Sequence, residues 1–496
     1  MPPGSPPRAG TSDAPSDFVQ AMSRTDATML VAGSMIGSGI FIVSADISRT
    51  LGSPLLLLVV WSLTGVMTLL GALAYGELSA MYPRAGGQYV FLREAMGPLM
   101  GFLYGWTLFV IIQTGTIAAV AVAFARFLGV LWPASAPELY AWFPHHDFPT
   151  PGGVVAVGLS AQRIVALVMV WVLTWINLRG VRAGKLVQTS FTFAKTAALA
   201  LLILLGLTLG RNATALAANF GPGRFAGTID LSGAFVMVLG TAMVGSLFSS
   251  DAWNNVTFAA AEVKDASRNV PKALAMGTGL VTLLYVLANV SYLNVLPLAG
   301  VKDGADAMAR GIQYATQDRV GTAAAEVIMG PSGVVAMAVA ILVSTFGANN
   351  GLILAGARVS YAMARDGLFF KSAGTLSARR VPAVALIAQA VWTSLLCLTG
   401  TYSQLLDYVI FAALLFYALT TVGLFILRVK RPNVARPYKA IGYPVLPALY
   451  VALAGSVCVI LLIADKTRAQ AFLGLLLVLV GIPVYYLWRK LVAIPA

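Results

Sequence analysis

Charged residues are scarce in this chain. Lysine, arginine, aspartate and glutamate make up 10% of its 496 residues, whereas an ordinary soluble domain has about 25%. Apolar residues make up 58% of the sequence, and the mean hydropathy is +0.83. This composition excludes a soluble globular protein and indicates a chain that folds in the lipid bilayer.

Cysteine and histidine are also rare, with two residues of each. Cys397 and Cys458 lie in apolar runs, which excludes a disulfide framework and a cysteine metal site. His145 and His146 are adjacent in one loop without a spaced third ligand, so we expect no bound metal and no cofactor. Paired acids or a nucleophile with its base are missing too, so the sequence does not predict an enzyme.

The net charge of +14 does not indicate a nucleic-acid partner. The basic residues stand in short runs between apolar segments, which is the pattern that orients membrane proteins. Most of them lie on one side of the membrane if the N-terminus is inside. We therefore expect a multi-pass protein of the cell membrane with both termini in the cytoplasm.

Long apolar runs make up most of the sequence. Residues 1–24 are rich in Pro, Ser and Ala and lack an apolar core, so they predict a disordered cytoplasmic tail and not a signal peptide. A window of about 20 apolar residues per crossing predicts twelve membrane helices. The predicted spans are roughly 26–48, 54–80, 98–130, 163–179, 186–209, 232–260, 272–298, 331–362, 382–400, 404–428, 444–464 and 470–488.

Two of these spans, the first and the sixth, contain residues that suit a membrane helix poorly. The first has three glycines and two serines at 33–39, and the sixth has serines, asparagines and Asp251 within 246–255. In a bilayer, irregular backbone is tolerated only where it is buried in protein or lines a wet cavity. Breaks in corresponding positions of two halves are typical of an inverted-repeat transporter, although Gly33 and Gly37 also form a GxxxG packing motif.

Several motifs together resemble the amino acid–polyamine–organocation (APC) superfamily, in its L-type amino acid transporter branch. Residues 33–41 are similar to its first-helix signature, and 83–89 match its P-x-x-G-G-x-Y loop. Residues 344–367 and 436–444 are similar to further segments of that branch. The resemblance implies a five-plus-five inverted repeat (25–210 and 230–430) with helices 1 and 6 broken. It also implies two further helices at 440–490 and alternating-access transport of amino acids.

Animal L-type members are usually bridged to a heavy subunit through a cysteine between spans 3 and 4. The loop at about 132–153 has no cysteine here. We therefore expect no disulfide-linked heavy subunit, and a bacterial host.

A zwitterionic substrate brings two charges that must not stay unpaired in a low dielectric. The amides at the start of a half-helix suit the carboxylate, and unwound carbonyls suit the ammonium group. The resemblance implies the same assignment. The predicted substrate-binding residues are Ser34, Met35, Ile36, Gly37, Ser38, Gly39, Ile40, Phe248, Ser249, Ser250, Asp251 and Ala252.

Lys195 lies near the middle of the fifth span, too deep to reach the membrane surface. The resemblance implies a built-in cation at the place where sodium binds in coupled relatives. It would brace the broken first span against Ser344 and Thr345. Tyr292 belongs to an N-x-x-Y motif and is expected to hydrogen-bond the broken part of the first span.

Asp251 admits three interpretations. An Asp here resembles the branch that handles cationic amino acids, so it would select Lys, Arg or ornithine. It would alternatively carry a coupling proton, or cap the second half of the sixth span. The preferred function is sodium-independent exchange of neutral or cationic L-amino acids. The alternatives are a proton-coupled amino acid or polyamine symporter and, in a different class, a membrane receptor or channel.

Overall fold

The computed structural model describes residues 18–135, 146–150, 153–226, 233–399 and 402–492. Nearly all of this chain is helical, as expected, except for one antiparallel hairpin of β1 (His146–Thr150) and β2 (Gly153–Val157). The α-helices are α1 (Arg24–Met35), α2 (Ser44–Leu51), α3 (Pro54–Met81), α4 (Gln88–Met96), α5 (Pro98–Thr107), α6 (Gln113–Leu131), α7 (Ala161–Leu178), α8 (Val181–Leu207), α9 (Ala213–Phe220), α10 (Gly233–Ser249), α11 (Asn255–Phe258), α12 (Ala266–Val295), α13 (Ala307–Arg310), α14 (Val320–Met329), α15 (Pro331–Arg365), α16 (Ala383–Thr399), α17 (Tyr402–Lys430), α18 (Val445–Ile463) and α19 (Arg468–Val492).

Nine helices of the described chain are long and apolar enough to cross a membrane. One of them is formed by α5 and α6, which a π-helical turn at Leu108–Ile112 joins into a single span. Three predicted spans, 26–48, 232–260 and 382–400, are absent from this group. The first two are the interrupted spans, and the third is the short apolar helix α16. The expectation of a helical membrane protein is confirmed.

The first predicted span, 26–48, is broken near its middle. Helix α1 starts at a capping box in which the Ser23 and Asp26 side chains and backbones bond reciprocally, and it ends at Met35. Residues 36–38 are irregular, and a 3-10 turn at Gly39–Phe41 leads into α2. Two short helices, α1 and α2, thus flank the break.

The sixth span is broken in the same manner. Helix α10 ends at Ser249, and α11 begins only at Asn255. Between them Ala252 has φ of 64°, a left-handed conformation that costs a residue with a Cβ of order 1–3 kcal/mol. The surrounding structure must therefore hold this segment open.

The two broken spans lie among the longest helices. Helix α1 packs against α12, α8 and α15, while α10 packs against α2, α3, α17 and α18. This arrangement puts both breaks in the protein interior and away from lipid, where irregular backbone is tolerated.

The segment before α1 differs from the predicted tail. Residues 1–17 lie outside the described chain, and Phe18 is buried whereas Val19 is 48% exposed. Met22 forms a parallel bridge with Val263, donating its amide to Glu262 O and accepting from Lys264 N. The last residues of the predicted tail are therefore part of the folded body.

Candidate functional site

The two breaks touch each other. A Cβ at Gly39 would overlap the Ser249 side chain, so only glycine permits this approach. The Tyr285 hydroxyl, on α12, lies 2.9 Å from Met35 O and 3.0 Å from Ser249 O. One side chain thus bridges the carbonyl ends of α1 and α10, and the two segments form a single site.

Free backbone donors lie in the first break. The amides of Gly37 and Gly39 donate no hydrogen bond to other backbone groups of the described chain. A Cβ added at Gly37 would meet no atom within 4 Å. These amides lie at the start of the 3-10 turn that leads into α2, so the positive end of that half-helix adds to their attraction for an anion.

Lys195 contacts the first break. Its ammonium group, buried on α8, donates to Gly33 O at 2.5 Å, Ile36 O at 2.6 Å and Ser344 O at 3.2 Å. The Ser344 hydroxyl lies 3.1 Å from Ile36 O and 3.2 Å from Gly37 O. The ammonium group compensates carbonyls that lost their helical partners where α1 ends.

Thr345 does not share this role. Its hydroxyl donates to Ile341 O at 2.8 Å, within its own helix. Consecutive positions of a helix point about 100° apart, so Ser344 and Thr345 cannot both face Lys195. The Thr345 hydroxyl thus bonds within α15 and not to the first break. Tyr292 does point to the first break, with its hydroxyl 3.4 Å from Ile40 O.

The serines of the site differ in their bonding. The Ser34 hydroxyl is buried and has no hydrogen-bond partner in the described chain. The Ser249 hydroxyl donates to Gly245 O of its own helix, and Ser250 N donates to Ser246 O. Ser38 is buried, and its carbonyl accepts from Phe41 N.

Asp251 lies in the second break, 6% exposed, and forms no ion pair with a basic side chain of the described residues. It does not cap α11, whose N-cap is Asn254. Its carboxylate accepts from the Tyr417 hydroxyl at 2.5 Å. Phe248 O, in turn, accepts from Asp251 N at 3.0 Å.

A polar chain extends from Asp251 to other helices. The Tyr417 hydroxyl also lies 3.2 Å from Asn254 Oδ1, and Asn254 donates to the Gln88 side chain at 2.8 Å. Gln88 donates in turn to Thr420 at 3.0 Å. The second break is therefore coupled by buried hydrogen bonds to α4 and α17.

A cavity of about 10 Å³ adjoins Asp251 and Ala252 and is also lined by Ile112, Thr116 and Tyr417. A single water molecule needs about 10–15 Å³. No amino acid fits this space, so the cavity beside Asp251 is closed to a substrate in this conformation.

Sequence reasoning missed two residues of the site, Tyr285 and Tyr417. A tyrosine in an apolar span carries no distinguishing pattern, because it more often packs than binds. One signal for Tyr285 was present: it lies seven residues before Tyr292, which places both on one face of α12.

Buried polar groups at two facing helix breaks, in a polytopic helical protein, define a membrane transporter. The sequence model of the amino acid permease family matches residues 22–483, and the chain belongs to that family. The prediction of an amino acid transporter that is not an enzyme is thereby confirmed.

Curated relatives are similar along nearly the whole chain. The b(0,+)-type amino acid transporter 1 of Mus musculus is 30% identical over 461 residues, covering 92% of this chain and 86% of the relative. The large neutral amino acids transporter small subunit 2 of Mus musculus is 29% identical over 471 residues, which cover 92% of this chain and 79% of the relative. The Homo sapiens protein of the same name is 29% identical over 493 residues, which cover 97% of this chain and 82% of the relative.

Proposed function

We propose that this protein is a sodium-independent exchanger that carries neutral and cationic L-amino acids by alternating access. The observation that carries the proposal is the Tyr285 hydroxyl within hydrogen-bond distance of carbonyls at both breaks. The closed cavity supports it, because an amino acid can enter only if the surrounding helices move. Twelve crossings in a five-plus-five inverted repeat, with two further helices, are part of this proposal.

The first break receives the substrate carboxylate. The free amides of Gly37 and Gly39, with open space beside Gly37, support this assignment. The ammonium group binds carbonyls of the second break. Those of Ser250 and Asp251 accept no hydrogen bond from the described chain and remain free for it.

Lys195 accounts for sodium independence. Unwound carbonyls are the groups that hold coupling sodium ions in transporters with broken helices. Here the carbonyls of Gly33, Ile36 and Ser344 already surround an ammonium group. A covalently attached cation thus occupies the place of a dissociable one.

Asp251 selects cationic side chains in this proposal. A buried carboxylate without a basic partner is costly, and a lysine or arginine substrate would supply the missing charge. The similarity to a b(0,+)-type transporter supports this assignment. Proton coupling is the second candidate, because a proton on Asp251 would neutralise the same charge.

The topology and the partner are proposed together. Both termini lie in the cytoplasm of the cell, and the protein sits in the cell membrane. Some relatives are named as small subunits, but this sequence has no cysteine in 132–153, and Cys397 and Cys458 are both buried. We propose that it works without a disulfide-linked heavy subunit; a bacterial host stays a prediction.

Uptake of labelled leucine and arginine into proteoliposomes tests the function. Exchange predicts saturable uptake that unlabelled internal amino acid accelerates at least tenfold, with no effect of sodium. Acceleration by an inward proton gradient alone would favour symport. Binding without uptake would indicate a receptor, and uptake that does not saturate would indicate a channel.

Selectivity is tested on Asp251→Asn. The amide keeps an acceptor for Tyr417 but removes the charge, so we expect arginine uptake to fall at least tenfold relative to leucine uptake. Tyr417→Phe, which keeps the carboxylate, should retain the preference for arginine. An unchanged arginine-to-leucine ratio in Asp251→Asn would remove the selectivity role.

A further inference from the structure

A second and larger cavity, of about 370 Å³, is lined by no residue of either helix break. It is formed where the end of α6 meets the loop before α14 and the start of α15. Its volume falls in the range of about 300–1,000 Å³ that is usual for small-molecule sites. Its polar side chains are Arg126, Arg310, Thr316, Gln317, Arg319, Thr322 and Glu326.

The cavity carries an excess of positive charge. Three arginines face one glutamate, and none of these arginines is ion-paired with an acid in the described part of the chain. Asp318, the acid next to Arg319, is bound instead by Arg49, at 2.6 Å and 3.2 Å. Burial and the nearby Arg126 guanidinium lower the pKa of Arg319. The three guanidinium groups thus share one carboxylate, that of Glu326.

Backbone carbonyls hold the arginines in place. Arg126 donates to Gln317 O at 2.9 Å, and Arg310 donates to Gly304 O at 2.8 Å. Gln317 itself has φ of 53°, a strained conformation for a residue with a Cβ. Carbonyl dipoles orient the guanidinium groups but do not neutralise them.

Unused donors lie in the same cavity. The Thr322 hydroxyl belongs to a side chain only 7% exposed and has no partner in the described chain, and the buried Arg310 Nε has none either. Helix α14 begins at this point, and its N-cap Arg319 makes no side-chain capping hydrogen bond. The N-terminal end of α14, with its positive dipole end, therefore adjoins the cavity through Arg319 and Thr322.

We propose that this cavity is a binding site for an oxyanion, a carboxylate or phosphate group carried by a small solute or by an anionic lipid headgroup. Three guanidinium groups against one carboxylate leave a net charge of about +2, which suits a dianion. Guanidinium forks, a hydroxyl and helix amides are the donors that carboxylate and phosphate oxygens accept from. The site shares no lining residue with the helix breaks, although α14 packs on Phe41 at the end of the first break.

The test is the thermal unfolding midpoint of the purified protein in phosphatidylcholine nanodiscs. Succinate and inorganic phosphate should raise the midpoint of the wild type by several degrees in a saturable manner, whereas succinamide or sodium chloride at equal ionic strength should not. Arg126→Gln/Arg319→Gln should lose the shift. Arg211→Gln, an exposed arginine outside the cavity, should keep it.

A lipid occupant is distinguished by phosphatidylglycerol nanodiscs. There the wild type would be stabilised relative to the double variant, and soluble oxyanions would add nothing. If the double variant does not fold, Thr322→Val is used, since it removes a donor but no charge and should weaken the apparent affinity severalfold. The proposal is overturned if neither the soluble ions nor the anionic lipid stabilise the wild type more than a folded variant, or if Thr322→Val binds as the wild type does.

Discussion

The Lys195 side chain donates from one point to carbonyls at the junction of α1, α8 and α15. Its ammonium group contacts Gly33 O, Ile36 O and Ser344 O, so it connects the end of α1 to α15. No neutral side chain can donate three hydrogen bonds from one point.

Lys195→Ala should abolish transport or weaken it strongly from one face. The substitution leaves the buried Gly33 carbonyl without a partner and Ile36 O with only the Ser344 hydroxyl, and an unsatisfied buried group costs about 1–3 kcal/mol. A tenfold or larger loss of exchange is expected because about 1.4 kcal/mol corresponds to tenfold. The loss is measured as the rate of amino acid exchange from each face of oriented proteoliposomes.

The matched control is Thr196→Val, the next residue on α8, whose hydroxyl has no partner in the described chain. It should leave transport within twofold of the wild type. Wild-type kinetics from both faces in Lys195→Ala would contradict the bracing role.

Tyr285→Phe should reduce transport several-fold while keeping the fold. The ring and its edge contact with Trp61 remain, but the hydroxyl between Met35 O and Ser249 O is lost. Tyr438→Phe removes a hydroxyl that has no partner in the described chain and should be silent. Equal uptake rates in the two variants would show that the bridge is not needed.

At the scale of elements, the contact of the two breaks depends on Gly39. Gly39→Ala would overlap the Ser249 side chain and should destabilise the site by about 1–3 kcal/mol, as overpacking does. Ser249→Gly removes the overlapping atoms, so the double variant should recover part of the lost uptake. Additive losses in this double-mutant cycle would mean that the segments do not press on each other during transport.

The breaks and most helices could be predicted from the sequence because both leave a strong local pattern. Glycine and serine in an apolar run predict the break at 36–38, and long apolar runs predict helices such as α3 and α12. Helices α4 and α14 and the β1–β2 hairpin were not predicted, since short elements carry no hydropathy signal.

The site was predicted less completely than the fold, because side-chain direction depends on helix phase and on packing. Ser344 and Thr345 are neighbours in the sequence, yet only Ser344 faces Lys195. Tyr417 reaches Asp251 from a helix more than a hundred residues away, and nothing in the local sequence marks it.

At the scale of the whole molecule, ion pairs join helices at the end where the N-terminus lies. Glu262 pairs with Arg358 at 2.9 Å with side chains 0% and 1% exposed, and Glu77 pairs with Arg428 at 2.6 Å and with Arg436 at 3.2 Å. Such pairs connect elements distant in sequence.

Glu262→Gln should lower the free energy of unfolding by about 3–5 kcal/mol, because it leaves the buried Arg358 guanidinium without its counter-charge. Asp465→Asn breaks an exposed ion pair with Arg468, 3.5 Å away. This substitution should change the free energy of unfolding by less than about 0.5 kcal/mol. Thermal unfolding of both variants in one detergent measures the difference. Equal stabilities would contradict a structural role for the buried pair.

The most direct measurement is a cryo-electron microscopy map of the protein saturated with arginine or leucine. The account predicts density between 36–40 and 248–252, with the substrate carboxylate within about 3 Å of the Gly37 and Gly39 amides and the ammonium group facing the α10 break. Substrate density only elsewhere, or both segments wound as continuous helix around an occupied site, would contradict it.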